Sequence, residues 1–472
     1  MQGLDTAIRY DMAEYLVRKA KETGLPPGQW NEAVAPYCHH YKPATDRIVL
    51  QYPPGTGFVL SFFPDGFQGR ATVMSCATIV FAIASLIVLA ARTPSVPVLG
   101  AALGAIGMYL MFKDSRGSLS VAPIMVACIL LGWLTWKMFS APTLGRRLLF
   151  VAATGLALGL SVSIRIPNGL LLVGFLVVLG AAFLCKPSRE TFAQPAVLVT
   201  AFLVGLVPVL AANWINAGHP LSTTYNSHDA SPPDLTARTI WSNFVFYFVE
   251  TRSHALLCLA AVVFPIVLFV IRKRLDAPRV GLVLAVLVVS LLVSISYFLT
   301  HGNRTAYYLI PASLFVVSTC VFLWMHAEAR RAARDDLPGL DISLRAALGV
   351  ALALGAYLVV RLNPPLPIDS RFSRPEIGVA FGELAVIWTD TSGVLFHRHL
   401  KRHTGKLAFA GPELQDRLVA SIARDGVPQF FVDDRDIMTN IIARHAKAGT
   451  MHPAGKAFGF DVYRFEAVPG DQ

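Results

Sequence analysis

Asp5, Arg9, Tyr10, Asp11 and Glu14 crowd the opening of the chain, in "LDTAIRYDMAEYLV". Much further along, Arg165 stands in "SIRIPNGL", His219 and Tyr225 in "NAGHPLSTTY", and Arg304 and Tyr307 in "HGNRTAYYLIP". A carboxylate is suited to taking a proton from a hydroxyl. A guanidinium is suited to holding a phosphate through paired hydrogen bonds. Acids and arginines facing one space therefore fit group transfer from a phosphate to a hydroxyl. Each residue also has a plainer use. Asp5 suits a helix N-terminus, Asp11 and Glu14 suit a solvated helix face, and Arg165 and Arg304 suit snorkelling to lipid headgroups. His219 and Tyr225 suit the shaping of a loop. The choice depends on the elements that carry these residues.

Those elements are mostly apolar. The 472 residues are 54% hydrophobic and 15% charged, with mean hydropathy +0.54. Runs of about 17–25 apolar residues span a membrane as helices. Ten such runs occur, at 71–91, 93–112, 119–136, 148–164, 166–185, 195–214, 255–271, 280–300, 305–325 and 346–360. The net charge of +11 lies wholly in residues 1–361 and is scattered through short loops, which argues against a nucleic-acid partner. Five of the six cysteines fall in apolar runs, where Cys acts as a small apolar residue. Cys38, His39 and His40 are adjacent, a poor spacing for one zinc. No metal and no cofactor is expected; a divalent ion has no ligand pattern to support it.

Basic residues assign the two sides. The odd-numbered loops carry 14 Lys and Arg, the even-numbered ones 6. Basic loops stay in the cytoplasm, so the even loops face outward, with residues 1–57 and the tail from 362. Arg165, His219, Tyr225, Arg304 and Tyr307 then share the outer side with the first loop. An outward first loop needs an earlier span, so an apolar segment upstream of Met1 is expected; unaided translocation of residues 1–57 is the alternative.

Three regions follow. Residues 1–57 form an extracytoplasmic loop with an amphipathic helix, "AIRYDMAEYLVRKAKETG", stopped by Gly24, Pro26 and Pro27 and suited to a membrane surface. Residues 58–361 form the helical membrane body, with a long loop from 215 to 252 of the functional kind. Residues 362–472 read as a soluble extracytoplasmic α/β domain with a mostly parallel sheet: strands in "ELAVIW", "KLAFAG", "PQFFVDD" and "FGFDVYRFE", helices in "SGVLFHRHLKRH", "PELQDRLVASIARDG" and "RDIMTNIIARHAKA". The "FFVDDRD" acids either bind a metal or phosphate after a strand or cap the next helix.

Four stretches together resemble integral-membrane glycosyltransferases of the GT-C fold, most closely the group of protein O-mannosyltransferases and lipid A aminoarabinose transferases (glycosyltransferase family 39). They are "LDTAIRYDMAEYLV", which looks like the family's first outward loop, "YPPGT", "NWINAGHPLSTTY" and "GNRTAYYLIPA". The resemblance implies a GT-C-like polytopic helical fold, a first span missing here, and an inverting transfer from a polyprenyl-phosphate sugar. Asp5 would be the catalytic base. The family's second acid is Thr6 here, and one extra residue separates Asp5 from Arg9 and Tyr10, so Asp11 is the alternative base. Arg9, Tyr10, Tyr52, Arg165, His219, Tyr225, Arg304 and Tyr307 would bind substrate. In "YPPG", two prolines fix φ and Gly55 allows close backbone approach, which would pin the first loop to the membrane body.

The expected protein is thus a multi-pass enzyme of the inner cell membrane. Its partners are a polyprenyl-phosphate-linked sugar, a lipid, glycan or protein acceptor, and membrane lipids. A transporter or flippase of lipid-linked sugars is the alternative; it would carry charges and broken helices at mid-membrane depth.

Overall fold

The computed structural model describes residues 7–25, 39–42, 47–50, 53–64, 67–91, 95–115, 118–222, 233–272, 279–302, 304–334, 342–362, 376–382, 384–390, 396, 400, 404–407, 411–447 and 450–466. For 7–14, 39–42 and 47–50 only the backbone is described. In chain order the elements begin with α1 (Ala7–Glu22), β1 (His39–Lys42), β2 (Arg47–Leu50) and the short α2 (Gly55–Leu60). The long helices follow: α3 (Gln68–Ala90), α4 (Ser95–Asp114), α5 (Val121–Ser140), α6 (Leu144–Ile164), α7 (Leu171–Cys185) and α8 (Arg189–Ala217). After α9 (Ala237–Val245) come α10 (Ser253–Ile271), α11 (Val280–Leu299), α12 (Ile310–Arg334) and α13 (Ile342–Leu362). The tail holds β3 (Val386–Trp388), β4 (Thr404–Gly405), α14 (Pro412–Arg424), β5 (Gln429–Val432), α15 (Asp436–Lys447), β6 (Met451–Ala457) and β7 (Phe460–Phe465).

Among the described residues ten helices are long and apolar enough to cross a membrane, α7 counting from Ile166. Each coincides with one of the ten expected runs, and the chain is a multi-pass membrane protein. It divides into two compact units: residues 53–209 with 231–366, and residues 1–52 with 210–230 and 367–472.

In the first unit, α5 and α12 are the most enclosed spans, and their apolar residues share one core with α3, α4, α7, α10 and α11. Small residues let helices touch. Gly155 and Gly159 of α6 meet the backbone of α8 at Leu198, Phe202 and Gly205, where a Cβ would lie 2.3–2.4 Å from the carbonyl oxygens of Leu198 and Phe202. The span helices run unbroken through Pro195, Pro208 and Pro265.

In the second unit, five strands form a sheet in the order β4-β3-β5-β7-β6. The β3–β4 and β3–β5 pairs are parallel; β5–β7 and β6–β7 are antiparallel. The sheet is therefore mixed rather than mostly parallel. The strand expected in "FGFDVYRFE" is β7, and sequence reading missed β6 before it; the turn at Phe458 (φ 56°) and Gly459 (φ 85°) makes the two a hairpin. "MHPAGKA" hides β6 because Pro453 and Gly455 interrupt its pattern, and the structure places a bulge there. The strand expected in "KLAFAG" sits slightly earlier, at Thr404–Gly405. Most of the helix expected in "SGVLFHRHLKRH" lies outside the described residues.

The first helix also departs from expectation. Leu16, Val17, Ala20 and Leu25 are at most 3% exposed, in one core with Val386, Trp388, Leu418, Ile422 and Phe431. The apolar face of α1 is thus spent on the α/β domain, not on a membrane surface. Its stop is the expected one. Gly24 (φ 77°) closes the helix, with Leu25 N–H donating to Ala20 O (3.1 Å) and Gly24 N–H to Lys21 O (3.1 Å). These are the paired bonds of a Schellman cap, and Leu25 packs beside Ala20.

Candidate functional site

A candidate site of the membrane unit is built on "SIRIPNGL". Helix α6 stops before Pro167, which has no N–H to continue its hydrogen-bond ladder. Arg165 leaves the helix in an extended conformation (φ −149°, ψ 118°), and Ile166–Leu170 form one short 3-10 turn into α7. Asn168 holds this corner together. Its side-chain amide donates to Ser161 O (2.9 Å), and its backbone N–H donates to Arg165 O (3.1 Å). Ser161 O, near the end of α6, thus accepts from both the Asn168 amide and the Arg165 backbone N–H (3.0 Å).

The corner turns Arg165 inward. It is 9% exposed, so its guanidinium does not snorkel to headgroups. The guanidinium carbon lies 4.8 Å from the centre of the Tyr307 ring and 5.4 Å from that of Tyr308. Two ring faces therefore hold a planar cation. Arg165 also heads a small cleft, of about 10 Å³, lined by Asn168, Leu171, Phe298, Tyr308, Pro311 and Ala312 among others. A buried cation beside mostly apolar walls suits an anionic group that adjoins hydrocarbon. Ser290 fixes one wall, its hydroxyl donating to Leu171 O (2.9 Å).

The "YPPG" turn abuts this corner. Pro54 stands at the N-cap of α2, as in an ordinary helix start. Gly55 packs directly on the end of α6: an added Cβ would lie 2.5 Å from Ser163 O and 2.9 Å from Ile164 N. The close approach expected of Gly55 is real, and its partner is the two residues preceding Arg165. Tyr52 lies outside the described residues.

Arg304 takes a separate place. It is exposed, donates to Ser242 Oγ (2.6 Å), and lies over the Phe246 ring at 5.2 Å. It does not line the Arg165 cleft. His219 is exposed, and its Nδ1 accepts from Leu221 N–H (3.2 Å), a loop-shaping contact. Arg9, Tyr10 and Asp11 fall on the α1 backbone, but their side chains lie outside the described residues, as do Asp5 and Tyr225 altogether. The "FFVDDRD" acids are engaged within the domain. Asp434 accepts from the backbone N–H of Asp390 (3.0 Å), Arg435 donates to Asp390 (2.9 Å), and Asp433 accepts from Thr439 Oγ1 (2.5 Å). Among the described residues no three His, Cys, Asp or Glu side chains group as metal ligands.

Sequence reasoning missed two parts of this region. One is Tyr308, which shares "AYYLIP" with Tyr307; both tyrosines reach Arg165 because the segment before α12 is not yet helical. The other is a buried pair. Asp114 ends α4 and His254 opens α10, and His254 Nε2 lies 2.8 Å from Asp114 Oδ2, with side chains 3% and 9% exposed. Its members are 140 residues apart, and no local pattern announces it.

Comparison with known proteins gives little more. No family model matches the chain, and no curated protein matches it. Among solved structures it is similar to the crystal structure of ArnT from Cupriavidus metallidurans bound to undecaprenyl phosphate, at 13% identity over 98% of this chain and 96% of that one, with a TM-score of 0.46. It is also similar to the same organism's ArnT in the apo state, at 11% identity over 96% and 93%, with a TM-score of 0.47.

Proposed function

We propose that the chain is a membrane glycosyltransferase, moving a sugar from a polyprenyl-phosphate donor to a hydroxyl on the extracytoplasmic side of the inner membrane. The observation that carries this is Arg165, a buried guanidinium clasped by Tyr307 and Tyr308 at the head of an apolar cleft between span helices. The donor phosphate would sit against Arg165, with its isoprenoid chain against the apolar walls beside it. Arg304, Tyr52, His219, Tyr225, Arg9 and Tyr10 would line the path of sugar and acceptor.

The chemistry needs few groups. Asp5, or Asp11 in its place, takes the acceptor hydroxyl proton. The acceptor oxygen bonds to the anomeric carbon as the bond from that carbon to the phosphate oxygen breaks, through an oxocarbenium-like state. The bonding electrons leave with polyprenyl phosphate, whose added charge Arg165 stabilises. One displacement with one base inverts the anomeric centre. The helices that run unbroken through Pro195, Pro208 and Pro265, and a buried His–Asp pair set at helix ends, give no support to a transporter with a mid-membrane binding site.

The acid is assigned by substitution in membranes supplied with labelled donors. Asp5→Asn should abolish transfer and leave the protein folded. Retained transfer in that variant, with loss in Asp11→Asn, moves the role to Asp11. Transfer that survives both substitutions overturns the mechanism.

A further inference from the structure

The α/β domain has no assigned task, and Asp390, Asp433 and Asp434 are engaged within it. One of its surface groups faces α1 instead. Asp425 is the C-cap of α14. A carboxylate there opposes the helix dipole, so α14 gains nothing from it. Asp425 Oδ2 lies 2.6 Å from Lys19 Nζ and accepts from Tyr15 Oη (2.8 Å), both on α1. Lys19 is 10% exposed and also meets Glu22 at 3.1 Å. Below this ionic seam, Leu16, Val17, Ala20 and Leu25 are locked into the domain core. The seam fixes rotation and the core fixes depth, so α1 has one seat on the domain.

We propose that the C-terminal domain is the holder of the first-loop helix, and that Asp425, through Lys19 and Tyr15, is a positioning residue for the acid at its amino end. Asp11 is one helical turn before Tyr15, and Asp5 stands two residues before the helix begins. The acid would thus be carried by the soluble domain. The role of Asp425 rests on the transferase assignment above.

The test uses the full-length protein with Asp425→Ala and Lys19→Met. Hydrogen exchange over residues 15–22 should quicken about tenfold or more in both variants while β3 and β5 stay protected. Turnover should fall by up to about 10²-fold, the scale of a small misplacement of a reacting group. Donor KM and binding of undecaprenyl phosphate should stay at wild-type values, which a general loss of structure would not allow. Unchanged exchange in α1 overturns the holder. Faster exchange with undiminished turnover overturns the positioning role. If the wild type transfers nothing from any donor, the transferase assignment fails, and the exchange result alone decides whether the domain holds α1.

Discussion

Replacing Gly55 with alanine isolates the contact between the "YPPG" turn and the Arg165 corner. The new methyl carbon would stand 2.6 Å from Ser163 C and 2.5 Å from Ser163 O. Carbon atoms rest at about 3.5–4.0 Å, so the backbones must part by roughly 1 Å. Neither is a flexible side chain that can swing away. Overpacking of this kind costs about 1–3 kcal/mol. The displaced atoms are Ser163 and Ile164, the residues before Arg165, so the shift is passed to the guanidinium. Gly57→Ala is the internal control, because nothing lies within 4 Å of its added Cβ and alanine favours the helix. Thermal unfolding of both purified variants should show Gly55→Ala lowered and Gly57→Ala unchanged or raised. Titration with undecaprenyl phosphate should show weaker binding in Gly55→Ala alone. Two variants that behave alike in both assays would refute the idea that this turn braces the site.

Three further outcomes follow from the same geometry. Arg165→Ala should weaken binding of undecaprenyl phosphate by about 10–100-fold, the equivalent of one charged hydrogen-bond partner, read by titration in detergent. His254→Ala should destabilise the membrane unit by about 1–3 kcal/mol, because it leaves the Asp114 carboxyl buried without its hydrogen-bond partner; a denaturation series against wild type measures this. The seat of α1 should depend on pH in a defined window. Hydrogen bonds from Lys19 and Tyr15 hold Asp425 below its ordinary value of 3.8, so its contribution is complete above that value and is lost as pH falls through the lower folded value. Burial lowers the Lys19 value, but hydrogen bonds to Asp425 and Glu22 outweigh it, so the group is held above its ordinary 10.5. Its contribution is complete below 10.5 and is lost as pH rises through the folded value. Exchange in α1 should therefore reflect a constant opening equilibrium between about pH 5 and 9 and loosen on the acid side of 3.8.

The sequence declared what local physics controls. Apolar runs of sufficient length gave the ten spans found among the described residues, since a helix that crosses a membrane must be apolar almost throughout. Gly24 announced the end of α1, and the break between the runs 148–164 and 166–185 the corner that carries Arg165. Gly55 was legible as a close approach, though its partner was not, because Ser163 is more than a hundred residues away. What stayed hidden was long-range. The amphipathic face of α1 has the same pattern whether it meets lipid or a protein core, and only the fold shows Leu16 beside Trp388. The His254–Asp114 pair and the meeting of Tyr308 with Arg165 likewise depend on helix packing. The hairpin of β6 and β7 was obscured by Pro453 and Gly455 within a strand.

The most direct test of the whole account is a transfer reaction with wild-type membranes and a panel of labelled polyprenyl-phosphate sugars. At least one donor should release its polyprenyl phosphate in step with formation of an inverted glycosidic product, and Arg165→Ala should reduce that release. No product from any donor with folded protein, or a product rate indifferent to Arg165, would contradict it.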